Sequence, residues 1–474
     1  MARLYFEEIN AVISAAKIII RTGTMKKYIP LLVLFFVGMS FAGLQAQTTP
    51  AHALTNVTIH NADGSTTESA TIVWRNGVIE AIGTNANIPF DAYEMDGGDS
   101  LHVYPGFIDG LAIWGSPDLP RSQDLPRLEE PGNPPYDRAG IQPERKPSEI
   151  LKEDKAFEAA MKAGFTTAGL YPNGYMLPGQ VEAFYLSNES EDVELLKESF
   201  GLAGSFDEAP GGWGSGAYPS TMMGVMAQFR QVMFDATALQ QHMKYYAQNP
   251  EMPAPDRDQV LEALFPLVNQ EKPLYFEVDQ KEHIERLFKL QDEFGFDAVI
   301  VSGREAYAKA DELKKRNIPV LANIDFTDIP EWYKKQKEAE ESDKKEEDAP
   351  EEEISDEEQN YREKQLEAWK AEVTNIKKLM DANVSVGYAS AGMELKDLSG
   401  KLEILLDEGG LSESDVVKLM TVNTANILGI NKTHGSLEKG KNASFSVFNK
   451  VMSEEKAKVL HSISNGTIHE FEGK

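Results

Sequence analysis

The residues of this sequence best suited to acid–base chemistry are four carboxylates and one imidazole, each in or just after a predicted strand. Asp109 ends an apolar run, Glu277 and Asp279 lie in LYFEVDQ, His283 follows shortly after, and Asp325 follows the run IPVLANI. Carboxylates and imidazoles are common proton carriers in enzymes, and carboxylate oxygens also suit Mg²⁺ or Ca²⁺. Asp also favours helix caps, so a structural role for Asp109 and Asp325 is the competing interpretation.

Histidine and cysteine usage restricts the metal chemistry that this chain can offer. No two of the eight histidines lie one, three or four residues apart, which are the spacings of local chelating pairs. His283 is the one histidine near a predicted strand end, and the competing interpretation places it on the solvent face of the next helix. The chain has no cysteine, which excludes disulfides, thiolate metal sites and a cysteine nucleophile.

The middle of the chain alternates apolar strand-like runs with segments of helical period. The runs are VYPGFID, GFTTAGLY, LYFEV, DAVIVSG, IPVLANI and VSVGYA. Such alternation predicts βα units and the α/β class, and we expect residues 105–432 to form a TIM-like (β/α)8 barrel. The carboxyl ends of barrel strands meet at one edge, so the candidate residues are expected to meet there.

The two ends of the chain have a different pattern, with short alternating strands and glycine turns. NVTIHNADG, TIVWRNG and VIEAIG lie near the beginning, and ASFSVFNK and VLHSISNGTIHEF lie near the end. We expect residues 47–104 and 433–474 to form one composite β-sandwich. A proline-rich stretch, 116–147, is expected to lie over one end of the barrel, and the acidic insertion 334–363 to be a solvated excursion, disordered or helical.

The first 46 residues have the pattern of a secretory signal with an upstream extension. Met25-Lys26-Lys27 precedes an apolar run over residues 28–41, and AGLQAQ follows it. We expect cleavage after Ala46 and a periplasmic or secreted protein. The apolar run is shorter than the roughly 20 residues that span a bilayer, so no stable membrane insertion is expected after cleavage. The net charge of -29 argues against a nucleic-acid partner.

Several stretches, taken in order, resemble the amidohydrolase superfamily, especially its imidazolonepropionase-like and dihydroorotase-like branch. ALTNVTIHNADG, IVWRNGVIEAIG and VYPGFIDG are similar to its first sheet and first barrel strand, and GFTTAGLYPNG with LPGQ to its second unit. LMTVNTANILGINKTHGSLEKGKNASFSVFN is similar to its closing helix and return strand. The resemblance implies a TIM-like barrel with a small β-sandwich, zinc or another divalent metal, and hydrolysis of carbon–nitrogen bonds other than peptide bonds.

The resemblance also implies positions for the metal ligands, and these positions lack the expected residues. Leu111 and Ile113 stand where two histidines are expected, Gly303 stands near a third, and Ser390 near an aspartate. Hydrocarbon side chains cannot donate a lone pair to a metal. We therefore expect no metal cofactor, and a barrel mouth that is packed and dry around Leu111 and Ile113.

Three hypotheses for function follow. The first is an exported amidohydrolase-like protein that lacks the metal centre and acts as a non-catalytic binding or scaffolding homologue, with an active amidohydrolase paralogue or a second copy of itself as partner. The second is a hydrolase of non-peptide or cyclic carbon–nitrogen bonds with a rebuilt site, using carboxylates such as Glu277 and Asp279. The third is a periplasmic binder of small molecules or peptides, with Trp114 and Trp213 as pocket contacts.

Overall fold

The computed structural model describes residues 49–121, 124–152, 154–188, 193–211, 216–341 and 354–471. The predicted signal segment, residues 1–46, and Trp213 lie outside these ranges. The strands are β1 (His52–His60), β2 (Thr66–Arg75), β3 (Val78–Gly83), β4 (Tyr93–Pro105), β5 (Phe107–Ala112), β6 (Phe165–Leu170), β7 (Gly179–Tyr185), β8 (Glu194–Ser205), β9 (Leu274–Val278), β10 (Ala298–Ser302), β11 (Val320–Ala322), β12 (Val386–Tyr388), β13 (Phe445–Phe448), β14 (Val459–Ser464) and β15 (Thr467–Glu470).

The helices lie mainly between the strands of the central part of the chain. They are α1 (Pro147–Ile150), α2 (Lys155–Lys162), α3 (Met222–Gln248), α4 (Gln259–Ala263), α5 (Phe265–Val268), α6 (Lys281–Phe294), α7 (Ala310–Arg316), α8 (Glu331–Glu341), α9 (Asp356–Val373), α10 (Asn375–Asp381), α11 (Leu398–Asp407), α12 (Glu413–Lys418) and α13 (Thr424–Leu428). A π-helical turn, Leu419–Asn423, joins α12 to α13.

The two ends of the chain share one sheet, which we call the composite sheet. Within the described ranges its strand order is β15-β14-β13-β4-β1-β2-β3. β13, from the end of the chain, pairs antiparallel with β4, and β1 pairs parallel with β4. The short alternating strands from the two ends of the chain therefore belong to one continuous sheet.

The composite sheet folds over to form a small sandwich. β2 and β13 are three positions apart in the strand order, so a flat sheet would separate them by about 14 Å at ~4.8 Å per strand. The ring of Trp74 on β2 nevertheless meets the edge of Phe445 on β13, with centroids 5.3 Å apart. Trp74 Nε1 also donates to the carbonyl of Gly466 at 2.9 Å. These contacts bury the inner faces of both layers.

The second sheet, the barrel sheet, has the order β12-β11-β10-β9-β8-β7-β6-β5 within the described ranges. The run from β8 to β12 is parallel, as the alternation of strands and helices predicts. β7 differs, because it pairs antiparallel with both β6 and β8. Only residues 171–178 join β6 to β7, and so short a connection can join only antiparallel neighbours.

The barrel sheet closes where the segment after β12 returns to β5. Ala391 N donates to the carbonyl of Leu111 at 3.2 Å, and Ser390 N donates to the carboxyl of Asp109. Along β10, Val299 and Val301 face the barrel interior, whereas Ala298 and Ile300 pack in the outer layer with the helices. The apolar runs of the sequence are continuous because the barrel strands are buried on both faces.

The acidic insertion and the proline-rich stretch both contain ordered elements. α8 and α9 lie on either side of residues 342–353, which fall outside the described residues. Trp332 Nε1 on α8 donates to Gln365 Oε1 on α9 at 2.9 Å, and Trp369 is buried, so the base of the insertion packs on the barrel. The proline-rich stretch contains one 3₁₀ turn, Tyr136–Ala139.

In the described part of the chain, every helix falls short of the length or the apolarity needed to cross a membrane.

The close approach of strands around Gly110 generates a stability prediction. A Cβ atom at Gly110 would lie 2.6 Å from Leu321 Cδ2 and 2.6 Å from the carbonyl oxygen of Tyr388. Gly110→Ala is therefore expected to destabilise the protein by about 1–3 kcal/mol through overpacking, seen as a lower urea midpoint by tryptophan fluorescence. Gly400→Ala is the matched control, because Gly400 lies in α11 with open space around it. It should stabilise the protein by ~0.5–1 kcal/mol. Equal midpoints for the two variants would contradict the packing argument.

Candidate functional site

A cavity of about 180 Å³, here called the mouth cavity, lies at the carboxyl ends of the barrel strands. The ends of β5, β8 and β9 contribute to it, together with the segments after β6, β8 and β12, so that one edge of the barrel positions its walls. Leu111 and Ile113 form part of its apolar wall. Its polar wall consists of Tyr171, Asn173, Tyr175, Ser205, Asp207, Tyr275 and Glu277.

Glu277, on β9, is the acidic group most altered by this environment. Tyr171 Oη donates a hydrogen bond to Glu277 Oε2 at 3.2 Å. Burial, followed by the charges of Asp207 and Asp279, raises the pKa of Glu277 to about 6, against the opposing effects of the Tyr171 hydrogen bond and Arg304. The pKa of Tyr171 is itself well above its ordinary value because of burial and the nearby carboxylates. Tyr171 therefore remains a hydroxyl donor at neutral pH.

The second carboxylate of the mouth cavity is Asp207, in the loop after β8. Its Oδ2 accepts a hydrogen bond from Ser205 Oγ at 2.7 Å, and its backbone N–H donates to the same hydroxyl at 3.1 Å. These two bonds fix the turn that brings Asp207 to the cavity wall. Among the described residues lining the cavity there is no lysine, arginine or histidine, so the wall presents net negative charge.

The side chains at the mouth do not fit the divalent metal centre that the superfamily resemblance implies. Leu111 and Ile113, at two implied ligand positions, place hydrocarbon on the cavity wall. Throughout the described ranges, no group of three or more His, Cys, Asp or Glu side chains converges on a common point. Such a centre needs at least three protein ligands. The lack of a metal cofactor stays a prediction of the sequence.

The expectation that the mouth is packed and dry is wrong. An open space remains above Leu111 and Ile113, and carboxylates, hydroxyls and an amide line it. Leu111 and Ile113 leave the cavity open, and its polar groups come from other elements, namely β8, β9 and the loops after β6 and β8. The mouth is therefore a cavity with both hydrocarbon and polar walls.

Asp109 lies apart from the mouth cavity and has a structural role in closing the barrel. Its side chain is completely buried. Oδ1 accepts the backbone N–H groups of Leu111 and Ser390, each at 3.1 Å, and Oδ2 lies 3.2 Å from Ser390 N. Burial raises the pKa of Asp109 to about 7, although these hydrogen bonds favour the charged form. Ser390, at the implied aspartate position, thus supplies a backbone donor to the barrel seam.

Asp279 and the end of β10 form a turn outside the cavity. Asp279 Oδ1 accepts hydrogen bonds from Ser302 Oγ at 2.5 Å and from Arg304 N at 3.4 Å, and Oδ2 pairs with Arg304 Nε at 3.4 Å. Ser302 and Gly303 both have left-handed backbone conformations, with φ of 72° and 59°. The position near the implied third histidine is therefore a tight turn that Asp279 stabilises.

The other candidates from the sequence lie away from the mouth cavity. His283 is in the first turn of α6, where its ring meets the edge of Phe206 at 5.9 Å. Asp325 is half exposed and lies 3.8 Å from Lys401 Nζ. Trp114 is only 8% exposed because it packs against Phe165 in the outer core, so it does not contact the mouth cavity.

Sequence reasoning selected Glu277 but missed the other polar lining residues, which are Tyr171, Asn173, Tyr175, Ser205, Asp207 and Tyr275. Most of them lie at the end of β8 or just after β6 and β8, in the segments YPNGY and SFDEA, and Tyr275 lies on β9. The signal that could have found them is position, since residues just beyond the carboxyl end of a barrel strand line the catalytic face in this architecture. Residue type alone did not indicate a site, because tyrosine and serine occur at many other positions of the chain.

The predicted resemblance to the amidohydrolase superfamily is confirmed. The sequence model described as "Amidohydrolase family" matches residues 362–469, from α9 to β15. This region contains the closing helix and return strand on which part of the resemblance depends. No curated protein sequence matches the chain.

Solved structures share the fold over most of the chain. An amidohydrolase from Thermotoga maritima MSB8 superimposes with a TM-score of 0.69 at 20% identity, covering 88% of this chain and 99% of that one. A prolidase complexed with N-methylphosphonate-L-proline gives a TM-score of 0.50 at 13% identity, covering 89% and 100%. Together with the two sheets, this confirms the predicted TIM-like barrel with a small sandwich from both chain ends.

The burial of Asp109 generates a prediction for the pH dependence of stability. Its folded pKa, about 7, lies above the ordinary 3.8, so the folded state binds more protons than the unfolded state between these values. Stability should therefore fall as pH rises from about 4 to 7, by up to ~1.4 kcal/mol per pH unit. Asp109→Asn keeps the Oδ1 acceptor but cannot titrate. In urea unfolding, the free energy of unfolding of this variant should therefore fall less steeply as the pH rises from about 4 to 7. Identical slopes for variant and wild type would contradict the assignment.

The Tyr171 hydrogen bond generates a second prediction. Because this bond favours the charged form of Glu277, Tyr171→Phe should raise the pKa of Glu277 above about 6. Titration of protein labelled with ¹³C at the glutamate carboxyl carbon, followed by NMR, measures this directly. Tyr175→Phe is the matched control, because Tyr175 lines the same cavity but its hydroxyl makes no hydrogen bond to Glu277 among the described residues. A shift in the control of the same size would refute the role of Tyr171.

Proposed function

We propose that this chain is a non-catalytic amidohydrolase-like protein that binds a small cationic ligand in the mouth cavity. The observation that carries the proposal is the composition of the cavity wall. Glu277 and Asp207 line it together with hydroxyl groups, while Leu111 and Ile113 occupy two of the positions where the superfamily resemblance implies metal ligands. The barrel therefore keeps a site for a ligand without the groups that would hold the hydrolytic metal.

The charge of the wall selects the class of ligand. Two carboxylates face a cavity whose described lining contains no basic side chain, so an anion would be repelled. A neutral ligand would leave the charge of Asp207 without a counter-ion. An ammonium or guanidinium group supplies both the opposite charge and N–H donors, and charge-assisted hydrogen bonds of this kind are stronger than neutral ones.

The size of the cavity limits the ligand. At about 180 Å³, the mouth cavity is smaller than the ~300–1,000 Å³ typical of sites for drug-sized molecules. Leu111 and Ile113 form a wall that can cover a short alkyl chain. A small alkylamine matches both the charged and the apolar parts of this surface.

A second candidate function is hydrolysis of cyclic or other non-peptide carbon–nitrogen bonds by a rebuilt site. The observation that favours it is Glu277, whose pKa of about 6 is close to the value that suits a general base near neutral pH. Hydrolysis of hydantoin and of a γ-lactam, measured with and without a chelator, tests it. Turnover that Glu277→Gln abolishes would replace the binding proposal by this one.

The setting of this function is also a proposal. The signal pattern of residues 1–46 supports export to the periplasm or the cell exterior. A scaffolding role would involve an active amidohydrolase paralogue or a second copy of the chain. Purification from the native envelope tests it, since a partner should co-elute on size exclusion at native concentration.

The binding proposal predicts selective stabilisation by a small amine. Butylamine, as its ammonium ion, should raise the melting temperature of the wild type, because a ligand selective for the folded state stabilises it. Butyrate, of the same length and opposite charge, should not. The affinity for butylammonium should increase between pH 5 and 7, since Glu277, with a pKa of about 6, becomes charged over that range.

Two variants distinguish butylammonium binding in the mouth cavity from binding elsewhere on the acidic surface. Glu277→Gln should weaken butylammonium binding by roughly tenfold or more, the loss of one charge-assisted hydrogen bond. Asp325→Asn, which removes an exposed carboxylate outside the cavity, should leave binding unchanged. Equal affinity for butylammonium and butyrate, or equal effects of both variants, would refute the proposal.

A further inference from the structure

A larger groove, of about 580 Å³, lies at the junction of the composite sheet with the closing helices. We call it the asparagine groove. One wall comes from the turn after β1, including Asn61 and Asp63, and the other from the π-helical turn and α13, including Asn423 and Asn426. Its volume is within the ~300–1,000 Å³ range of small-molecule sites. Among the described residues, it shares no lining residue with the mouth cavity.

His434 is a buried histidine in the wall of this groove. It is 4% exposed, and its Nδ1 lies 2.8 Å from Thr433 Oγ1. Thr433 Oγ1 is also 3.2 Å from the carbonyl of Ile430, to which it donates its single proton. We assign the threonine proton to this carbonyl, so the threonine oxygen accepts from His434, the ring proton is on Nδ1 and Nε2 carries a lone pair.

That lone pair has no partner within the described residues. His434 Nε2 is buried and makes no hydrogen bond. Burial, with the positive charge of Lys441, lowers the pKa of His434 to about 4, so the ring stays neutral at physiological pH. Leaving a buried acceptor without a donor is unfavourable. A hydroxyl or N–H group of a bound molecule would supply the donor.

The rest of the groove offers neutral polar groups. Asn423, Asn426 and Asn431 line it, and an asparagine side chain can donate two hydrogen bonds and accept others. Two lysines of the groove are matched by two acids, Asp63 and Glu438. The charges therefore balance, which favours neither an anion nor a cation, and an apolar ligand would desolvate the amides without replacing their hydrogen bonds.

From this arrangement we propose that the asparagine groove binds a neutral polyhydroxylated molecule, a mono- or disaccharide, one hydroxyl of which donates to His434 Nε2. Sugar hydroxyls both donate and accept, as the carboxamides do, so neighbouring hydroxyls can pair with Asn423, Asn426 and Asn431. The proposal is independent of the mouth cavity and of the amine ligand proposed for it.

Histidine-selective ¹⁵N labelling tests the proposal on the full chain, with glucose and maltose as probes. At saturating sugar, the ¹⁵Nε2 resonance of His434 should move upfield, as an unprotonated ring nitrogen does when it accepts a hydrogen bond, and the Nδ1–H signal should persist. His469, whose Nδ1 already contacts Asn188 Oδ1, is the internal reference and should not move.

Variants make the binding measurement specific to the groove. His434→Phe and Asn426→Ala should each weaken maltose binding about tenfold by calorimetry. Asn426 is exposed, so this variant keeps the test valid if His434→Phe fails to fold. Asn87→Ala, an exposed asparagine outside the groove, should have no effect. Glu277→Gln should also leave maltose binding unchanged, which separates this proposal from that for the mouth cavity.

The proposal is overturned if neither sugar binds, or if the affinity is the same in Asn426→Ala as in wild type. It is also overturned if the sugar binds while the His434 ¹⁵Nε2 resonance stays in place.

Discussion

The hydrogen bonds of the buried Asp109 carboxyl hold the barrel closed, and the rest of the structure depends on this closure. Asp109 accepts the N–H of Leu111 on its own strand and of Ser390 beyond β12, so a single side chain joins the first barrel strand to the segment after the last one. Only a closed barrel brings the carboxyl ends of β5, β8 and β9 to one mouth. The burial that raises the pKa of Asp109 indicates that a proton accompanies this closure below neutral pH.

The mouth combines hydrocarbon at two implied metal-ligand positions with a cavity that polar groups line. The implied ligand positions fall on β5, just after β10 and after β12, where Leu111, Gly303 and Ser390 contribute packing, a turn and a backbone donor. The polar wall comes largely from other elements, with Tyr171 after β6 and Asp207 after β8. Because the two sets are carried by different segments, substitution of one leaves the other in place.

Much of the fold follows from pattern, whereas the direction of β7 and the membership of the site do not. Alternation of apolar and amphipathic runs predicts βα units, but it has the same appearance for parallel and antiparallel strands, so the reversal of β7 between β6 and β8 was not visible. Trp114 sits next to the first barrel strand in sequence, yet packs outward against Phe165. The direction of a side chain at a strand end depends on the local twist and on neighbouring side chains. The spacing of residues in the sequence does not predict either.

The sequence by itself determined the fold class, the pairing of both chain ends in one sheet and the absence of imidazole at the implied metal positions, because these follow from periodicity and residue identity. Only the tertiary structure decided that Glu277 meets Tyr171, that Asp109 is structural, and that one ring nitrogen of His434 has no partner among the described residues. The physical reason is that each of these depends on distance and burial between residues far apart in the chain, and closure of the barrel sets both.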